Sequence, residues 1–205
     1  MSLSGVFRSR LTRRIAEIIL VLAGVLALQS CWVESLNSLY EGGFARKDPD
    51  VVFEQRLTGS WSVTEDKCTI ALTISAKENT YGLESIQQGE GCSDAGKKSR
   101  QQARLVKLDA HYFFDVSPMD DDVCEMCLAK HTIYQMKIDK DSFSLIPIDS
   151  DWLKNAMEKK VVVLATLPDD TDTLTASSAD LKTFCRRYAD DSQAFKPEGL
   201  NFERK

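Results

Sequence analysis

The sequence predicts a mostly β fold of the α+β type, in which an antiparallel barrel of about eight strands carries one inserted helix and one C-terminal helix. Through the middle of the chain, apolar and polar residues alternate over short runs, the period-2 pattern of half-buried strands. Tight-turn residues such as Lys77-Glu78-Asn79 separate these runs. Consecutive short strands joined by tight turns favour an antiparallel barrel or sandwich over a parallel sheet.

The predicted strands follow one another closely along the chain. The first starts at Leu57-Thr58-Gly59-Ser60-Trp61, and in the second Ile70, Leu72 and Ile74 share one face. Further strands are predicted at 80–87, 102–108, 112–117, 132–138, 143–148, 161–166 and 173–175.

Two helices are predicted late in the chain. Asp149 is a suitable N-cap for the first, and Trp152 and Ala156 stack at i, i+4. The second follows Ser177, with Asp180 completing an approximate capping box. Its apolar stripe at i, i+3, i+4 and i+7 consists of Leu181, Phe184, Cys185 and Tyr188. We expect the first helix to interrupt the barrel and the second to close or cover it.

The N-terminal segment has the pattern of an export signal. Arginines at positions 8, 10, 13 and 14 precede an apolar run, 18–28, of about eleven residues, which is too short for a bilayer core roughly 30 Å thick. Residues 1–30 are therefore predicted as a signal peptide that takes the body of the protein out of the cytoplasm. Ordinary signal cleavage and an uncut anchor are the alternatives to lipoprotein maturation.

The end of this segment, Leu28-Gln29-Ser30-Cys31, resembles the lipobox of bacterial lipoproteins. The resemblance implies that Cys31 is diacylated on sulfur and, after cleavage, acylated on its amine. It also implies that Trp32, at the position after the cysteine, directs the protein to the outer membrane, facing the periplasm.

Composition limits the partners of the mature body. Removing four Arg and one Glu from 26 basic and 31 acidic residues leaves a net charge of −8. Such a body is repelled by nucleic acid and by anionic headgroups, so membrane attachment must come from the acyl chains. We expect residues 31–50 to be a flexible tether and residues 51–205 to be the barrel domain.

A second resemblance concerns the barrel. Gly59-x-Trp61, at the start of a strand meander, resembles the opening motif of lipocalin-like barrels, in which the Trp plugs one end. A wider set of segments, in this order, is similar to a group of uncharacterised bacterial lipoproteins, and it implies no catalytic residue. The segments are Ser38-Leu39-Tyr40, 57–61, 105–108, Phe114-Asp115, His131-Thr132, 148–153 and the final Ser/Thr-capped helix.

The cysteines include one predicted disulfide. If Cys31 carries lipid, five cysteines remain in an oxidising compartment, and at least one is unpaired within the chain. Cys68 and Cys92 lie about equally far from the turn near Asn79, so a cross-strand disulfide between them is predicted.

Cys124-Glu125-Met126-Cys127 permits several interpretations. A redox-active dithiol needs a lowered thiol pKa, which Glu125 and the acidic run 120–122 oppose. A structural disulfide, local or to Cys185, is the preferred interpretation.

Zinc is the remaining possibility for this pair, with the two histidines of the chain, His111 and His131, as further ligands. If residues 127–131 are extended, Cys127 and His131 are about 13 Å apart and cannot share an ion unless the loop folds back. We predict no metal site and no cofactor.

Function is predicted only by class. With two histidines and no serine or acid at a suggestive spacing, a hydrolase triad has no support, and a non-catalytic protein is expected. We expect it to bind a small apolar or amphipathic ligand, or an envelope partner. The alternatives are a scaffold without a ligand cavity and a redox or metal protein that uses the Cys124–Cys127 pair. The candidate residues for a ligand cavity are Trp61, Tyr112, Phe114, His131 and Tyr134.

Overall fold

Eight antiparallel strands close into a barrel in the computed structural model, which describes residues 32–41, 48–119, 128–197 and 199–205. The signal peptide, Cys31, Cys124 and Cys127 lie outside the described residues. The strands are β1 (Glu34–Ser35), β2 (Val51–Val52), β3 (Gly59–Glu65), β4 (Cys68–Lys77), β5 (Thr80–Gln88), β6 (Lys98–Leu108), β7 (His111–Pro118), β8 (His131–Ile138), β9 (Ser142–Pro147), β10 (Thr166–Leu167), β11 (Asp170–Leu174) and β12 (Leu200–Arg204), and the helices are α1 (Ser150–Glu158) and α2 (Ser178–Tyr188).

The barrel follows chain order from β3 to β9 and is closed by β12, which pairs with both β9 and β3. In these pairings Phe202 lies opposite Phe143, and Arg204 opposite Trp61. The predicted fold class is thus confirmed, with α1 inserted after β9 and α2 near the C-terminus. The eighth strand differs from expectation, because β12 was not predicted and the predicted strand at 161–166 contributes only the start of the two-residue β10.

The two faces of the barrel wall bury two separate apolar clusters. Alternate residues of each strand point inward, and the inner cluster includes Trp61, Leu72, Leu83, Leu105 and Phe114. The intervening residues of β6 to β9 point outward into a second cluster with the two helices. Its outward strand members are Val106, Leu108, Phe113, Ile133 and Ile146.

Both helices begin at the predicted caps. The Asp149 carboxylate accepts a hydrogen bond from the Trp152 backbone N–H at 2.7 Å, and the Ser177 hydroxyl accepts one from Asp180 N–H at 3.2 Å. The buried face of α1 is Leu153 and Ala156, and that of α2 is Leu181, Phe184 and Cys185. The helices therefore cover the outer wall of the barrel, and α2 is not a plug for one of its ends.

Residues 32–41, which we expected to belong to a flexible tether, instead form part of the folded body. Strand β1 pairs with β8 on one side and with β11 on the other. Val33 and Leu39 are buried, with 4% and 0% of their surfaces exposed. The sequence misleads here because the segment has no apolar period: single buried side chains and strand pairing fix it instead.

None of the helices among the described residues is long and apolar enough to cross a membrane.

Candidate functional site

Trp61 fills one end of the barrel, which we call the closed end. Its ring is 2% exposed and meets the ring of Phe143 edge-on, with centroids 4.8 Å apart. The indole N–H donates to the Leu57 carbonyl at 2.8 Å, in the short 3-10 turn that precedes β3. The Arg204 guanidinium lies 4.2 Å from the centre of the ring, on the solvent side.

Aromatic side chains continue the packing above Trp61. Phe143 stacks on Phe202 at 5.1 Å, and Phe114 meets Tyr81 edge-on at 5.6 Å. Tyr112 is half-buried against the same inner cluster. An eight-stranded barrel can be filled by side chains or can hold one small ligand, and here buried rings pack against one another in the inner cluster. Three of the cavity candidates, Trp61, Tyr112 and Phe114, are therefore placed as packing residues of the inner core.

His131 differs from the other cavity candidates because it faces out of the barrel. Its Nδ1 lies 2.6 Å from one carboxylate oxygen of Asp115, and the other oxygen accepts the Leu39 N–H at 2.5 Å. Asp115 is 2% exposed. His131 also meets the Tyr40 ring edge-on at 6.4 Å. This arrangement fastens residues 39 and 40 to the outer wall, so the cavity role predicted for His131 does not fit its position.

Tyr134, the last cavity candidate, lies in the half of β8 nearer to the opposite end of the barrel, which we call the mouth and where β8 begins. Its ring contacts Trp32 edge-on with centroids 5.7 Å apart, and Trp32 is 46% exposed. Burial and, secondarily, the charge of Glu34 raise the pKa of the Tyr134 hydroxyl.

An ion pair lies next to these two rings. Lys130 Nζ is 2.6 Å from the Glu34 carboxylate and 3.2 Å from the Thr173 hydroxyl, and the hydrogen bond to Glu34 raises the lysine pKa. We call Trp32, Glu34, Lys130 and Tyr134 together the Trp32 face. Sequence reasoning did not identify this face, since its members come together only through the pairing of β1 with β8.

The predicted disulfide between Cys68 and Cys92 is present at the mouth. It joins the start of β4 to the loop that follows β5, rather than two paired strand residues. Gly89, in that loop, has a φ of +121°, and an added Cβ would collide with the Lys67 carbonyl. The loop backbone thus lies directly on the turn between β3 and β4.

Cys185 is a free thiol and is completely buried beneath α2. Burial, with a further contribution from the charge of Asp115, raises its pKa. Its position in the inward stripe of α2 explains its lack of a disulfide partner, because the stripe faces the barrel wall. The disulfide role proposed for Cys185 is therefore absent from the structure.

The two histidines lie far apart. In the register of β7 and β8, His131 falls opposite Ser117, six residues from His111, which corresponds to about 20 Å. His111 is 3.4 Å from the Asp190 carboxylate instead. The zinc set that needed both histidines cannot form, and the described parts of the chain contain no group of three or more metal-binding side chains.

Two concave regions lie on the outer surface. A groove of about 680 Å³ runs along β4, β5 and β6 and is lined by Ala71, Thr73, Glu84, Ser85, Ile86, Lys98, Ser99 and Arg100. Most of these residues alternate with the inward-facing ones and so lie on the outer wall. A smaller cleft of about 100 Å³ separates residues 161–164 from α2.

The fold and these surfaces define a small closed barrel with an aromatic interior. Comparison of the chain with family models, with curated proteins and with solved structures found no match.

Proposed function

We propose that this chain is the precursor of a lipid-anchored protein of the bacterial envelope, with Cys31 as the lipidated residue, held at the outer membrane and facing the periplasm. The export signal and the lipobox resemblance at Leu28–Cys31 support the anchor. The Cys68–Cys92 disulfide supports the location independently, since disulfides persist in oxidising compartments. Trp61 at the closed end supports the resemblance to lipocalin-like lipoproteins.

In this proposal the barrel is a non-catalytic interaction module for an envelope partner. The observation that carries it is the packed closed end, where Phe143 contacts both Trp61 and Phe202. Because side chains occupy this part of the interior, we place binding on the outer surface. Val161 and Val163, 52% and 86% exposed beside α2, are candidate contacts for a partner. A non-catalytic role also fits the two histidines, because each pairs with a different carboxylate: His111 with Asp190, and His131 with Asp115.

Binding of a small amphipathic molecule is the second candidate function. The groove along β4 to β6 favours it, because its volume of about 680 Å³ is within the range of small-molecule sites. Ile86 and Ala71 offer apolar contact there, and Glu84 and Lys98 offer charge.

The anchor is tested by intact-mass measurement of the mature protein extracted from membranes. We expect a chain that begins at Cys31 and carries acyl mass, and we expect Cys31→Ser to lose it. A Cys68→Ser/Cys92→Ser variant is the matched control, because it changes two cysteines without touching the anchor. An unacylated mature chain, or one that begins elsewhere, would contradict the proposal.

The two binding functions are separated by cross-linking in intact envelopes combined with native mass spectrometry. An interaction module predicts a cross-linked partner that Val163→Arg removes and Ile86→Arg retains. A carrier predicts a retained small-molecule mass that Ile86→Arg removes and Val163→Arg retains. A bare mass with no cross-link would contradict both.

A further inference from the structure

The proposed anchor, Cys31, directly precedes the first residue of the folded body, Trp32. This inference rests on the proposed lipidation of Cys31. Consecutive Cα atoms are about 3.8 Å apart, so Cys31 lies one such step from Trp32. Val33 is already buried, and Glu34 is already paired with Thr132 of β8. A lipid carried by Cys31 would therefore hold the barrel close to the bilayer.

The Trp32 face has the chemistry of a membrane interface. Trp32 is half exposed and rests on Tyr134, and tryptophan and tyrosine are enriched where headgroups meet water. The two charges within this face are paired, since Lys130 contacts Glu34; the charge of Asp170, outside the face, also acts on Lys130. A face without net charge avoids the repulsion that the acidic body would meet at an anionic surface.

We propose that the Trp32 face lies directly on the phospholipid bilayer, with the Trp32 ring in the headgroup region. A bilayer is a better candidate than a protein for the surface that this face contacts. The reason is that Cys31, the residue directly before Trp32, is the proposed carrier of the acyl chains. The barrel is then held at the membrane surface in a fixed orientation and does not stand off on a tether.

The experiment uses the mature acylated protein in phosphatidylcholine vesicles whose acyl chains carry bromine, which quenches nearby tryptophan. The chain has three tryptophans, at positions 32, 61 and 152. We expect quenching in the wild type, loss of most of it in Trp32→Phe and retention in Trp152→Phe, the matched control on α1. Circular dichroism verifies the fold of both variants.

A second measurement needs no variant. Acrylamide quenching of the wild type should decrease when vesicles are added, because the bilayer shields the exposed Trp32. Equal bromolipid quenching of wild type and Trp32→Phe, with both floating on the vesicles, would overturn this inference and leave the anchor intact. A protein that lacks acyl mass and does not float would overturn the anchor and this inference together.

Discussion

Arg204, on the last strand of the barrel, covers Trp61, on the first, with its guanidinium 4.2 Å from the ring centre. The same group donates to the Arg56 carbonyl at 2.5 Å and the Thr58 carbonyl at 3.2 Å. Gly59 makes this possible, because it has a φ of +128° and an added Cβ would lie 2.8 Å from an Arg204 nitrogen. The glycine and the tryptophan of the Gly-x-Trp motif thus both contribute to the contact with Arg204. This contact lies where β12 pairs with β3 and closes the barrel, a place that we call the seam.

Replacing Arg204 should weaken this seam. We expect Arg204→Ala to lower the free energy of unfolding by about 1–2 kcal/mol, from one cation–π contact and two hydrogen bonds. The free energy of unfolding of Arg204→Lys should lie between those of the wild type and Arg204→Ala, since an ammonium cannot reach both carbonyls while covering the ring. Urea unfolding measures both, with Lys205→Ala as the control. Equal losses for Arg204→Ala and Lys205→Ala would show that the contact contributes nothing.

The strands that were predicted correctly are those whose own sequence carries a strand signal. Strands β4 and β5 alternate residues that fill the barrel with more polar ones, whereas β6 to β9 bury apolar residues on both faces and form short apolar runs between turn residues. Strand β12 has no comparable signal: its buried residue is Phe202, flanked by polar Asn201 and Glu203. Only pairing with β3 and β9 makes it a strand, and such long-range pairing is not encoded locally.

The candidate site was predicted less completely than the fold. Asp115 is a charged residue between Phe114 and Val116, and its position on the outer wall was readable from the alternation. The burial of Asp115 could not be predicted, because the residues that cover it, 39 and 40, belong to the segment expected to be a tether. The Trp32 face was unpredictable for the same reason, since it depends on β1.

Asp115 should be intolerant of loss of its charge. Asp115→Asn replaces one acceptor oxygen by an NH2 group, which either opposes the Leu39 N–H or requires His131 Nδ1 to become the acceptor, and in both cases the hydrogen bonds to a carboxylate are lost. We expect a loss of about 1–3 kcal/mol in unfolding free energy. Hydrogen exchange at the Leu39 amide should also become faster. Asp169→Asn, on an exposed turn, is the control, and unchanged exchange at Leu39 would contradict the assigned role of Asp115.

The disulfide should contribute most of its effect through the unfolded chain. Cys68 and Cys92 are 24 residues apart, and removing the bond by Cys68→Ser/Cys92→Ser should cost about 3 kcal/mol. Thermal unfolding with and without reductant measures this. Reductant should destabilise the wild type by a similar amount and change the double variant much less. An equal reductant effect in both would assign the sensitivity to another cysteine pair, such as Cys124 and Cys127.

Cys185 should react with iodoacetamide only when the protein opens. The thiol is fully buried and its pKa is raised, so the reactive thiolate is scarce in the native state. Peptide mapping after labelling should find Cys185 unmodified in buffer and modified in denaturant. Rapid labelling in buffer would show that α2 detaches readily from the barrel wall.

A buried ion cluster joins α2 to the chain before β2. Lys182 Nζ lies 2.7 Å from the Asp48 carboxylate and 2.6 Å from that of Asp50. Burial alone would raise the pKa of Asp48, but Lys182 and the backbone N–H groups of Asp50 and Glu41 outweigh it and lower the pKa below 3.8. Burial alone would lower the pKa of Lys182, and the two carboxylates raise it above 10.5.

These directions predict how stability depends on pH. The lowered Asp48 pKa stabilises the fold above its usual value and loses this effect as pH falls through the lowered value. The raised Lys182 pKa stabilises the fold at pH values below the usual lysine pKa, and this effect is lost as pH rises through the raised value.

Lys182→Met should therefore cost about 3 kcal/mol near neutral pH, because it leaves Asp48 buried without its cation. The cost should shrink below about pH 4 as Asp48 is protonated. Urea unfolding across the pH range measures it, and Lys154→Met, at an exposed pair with Asp172, should stay within about 0.5 kcal/mol of the wild type. A cost for Lys182→Met that is the same at pH 3 and pH 7 would mean that the lysine acts through packing of its stem rather than through its charge.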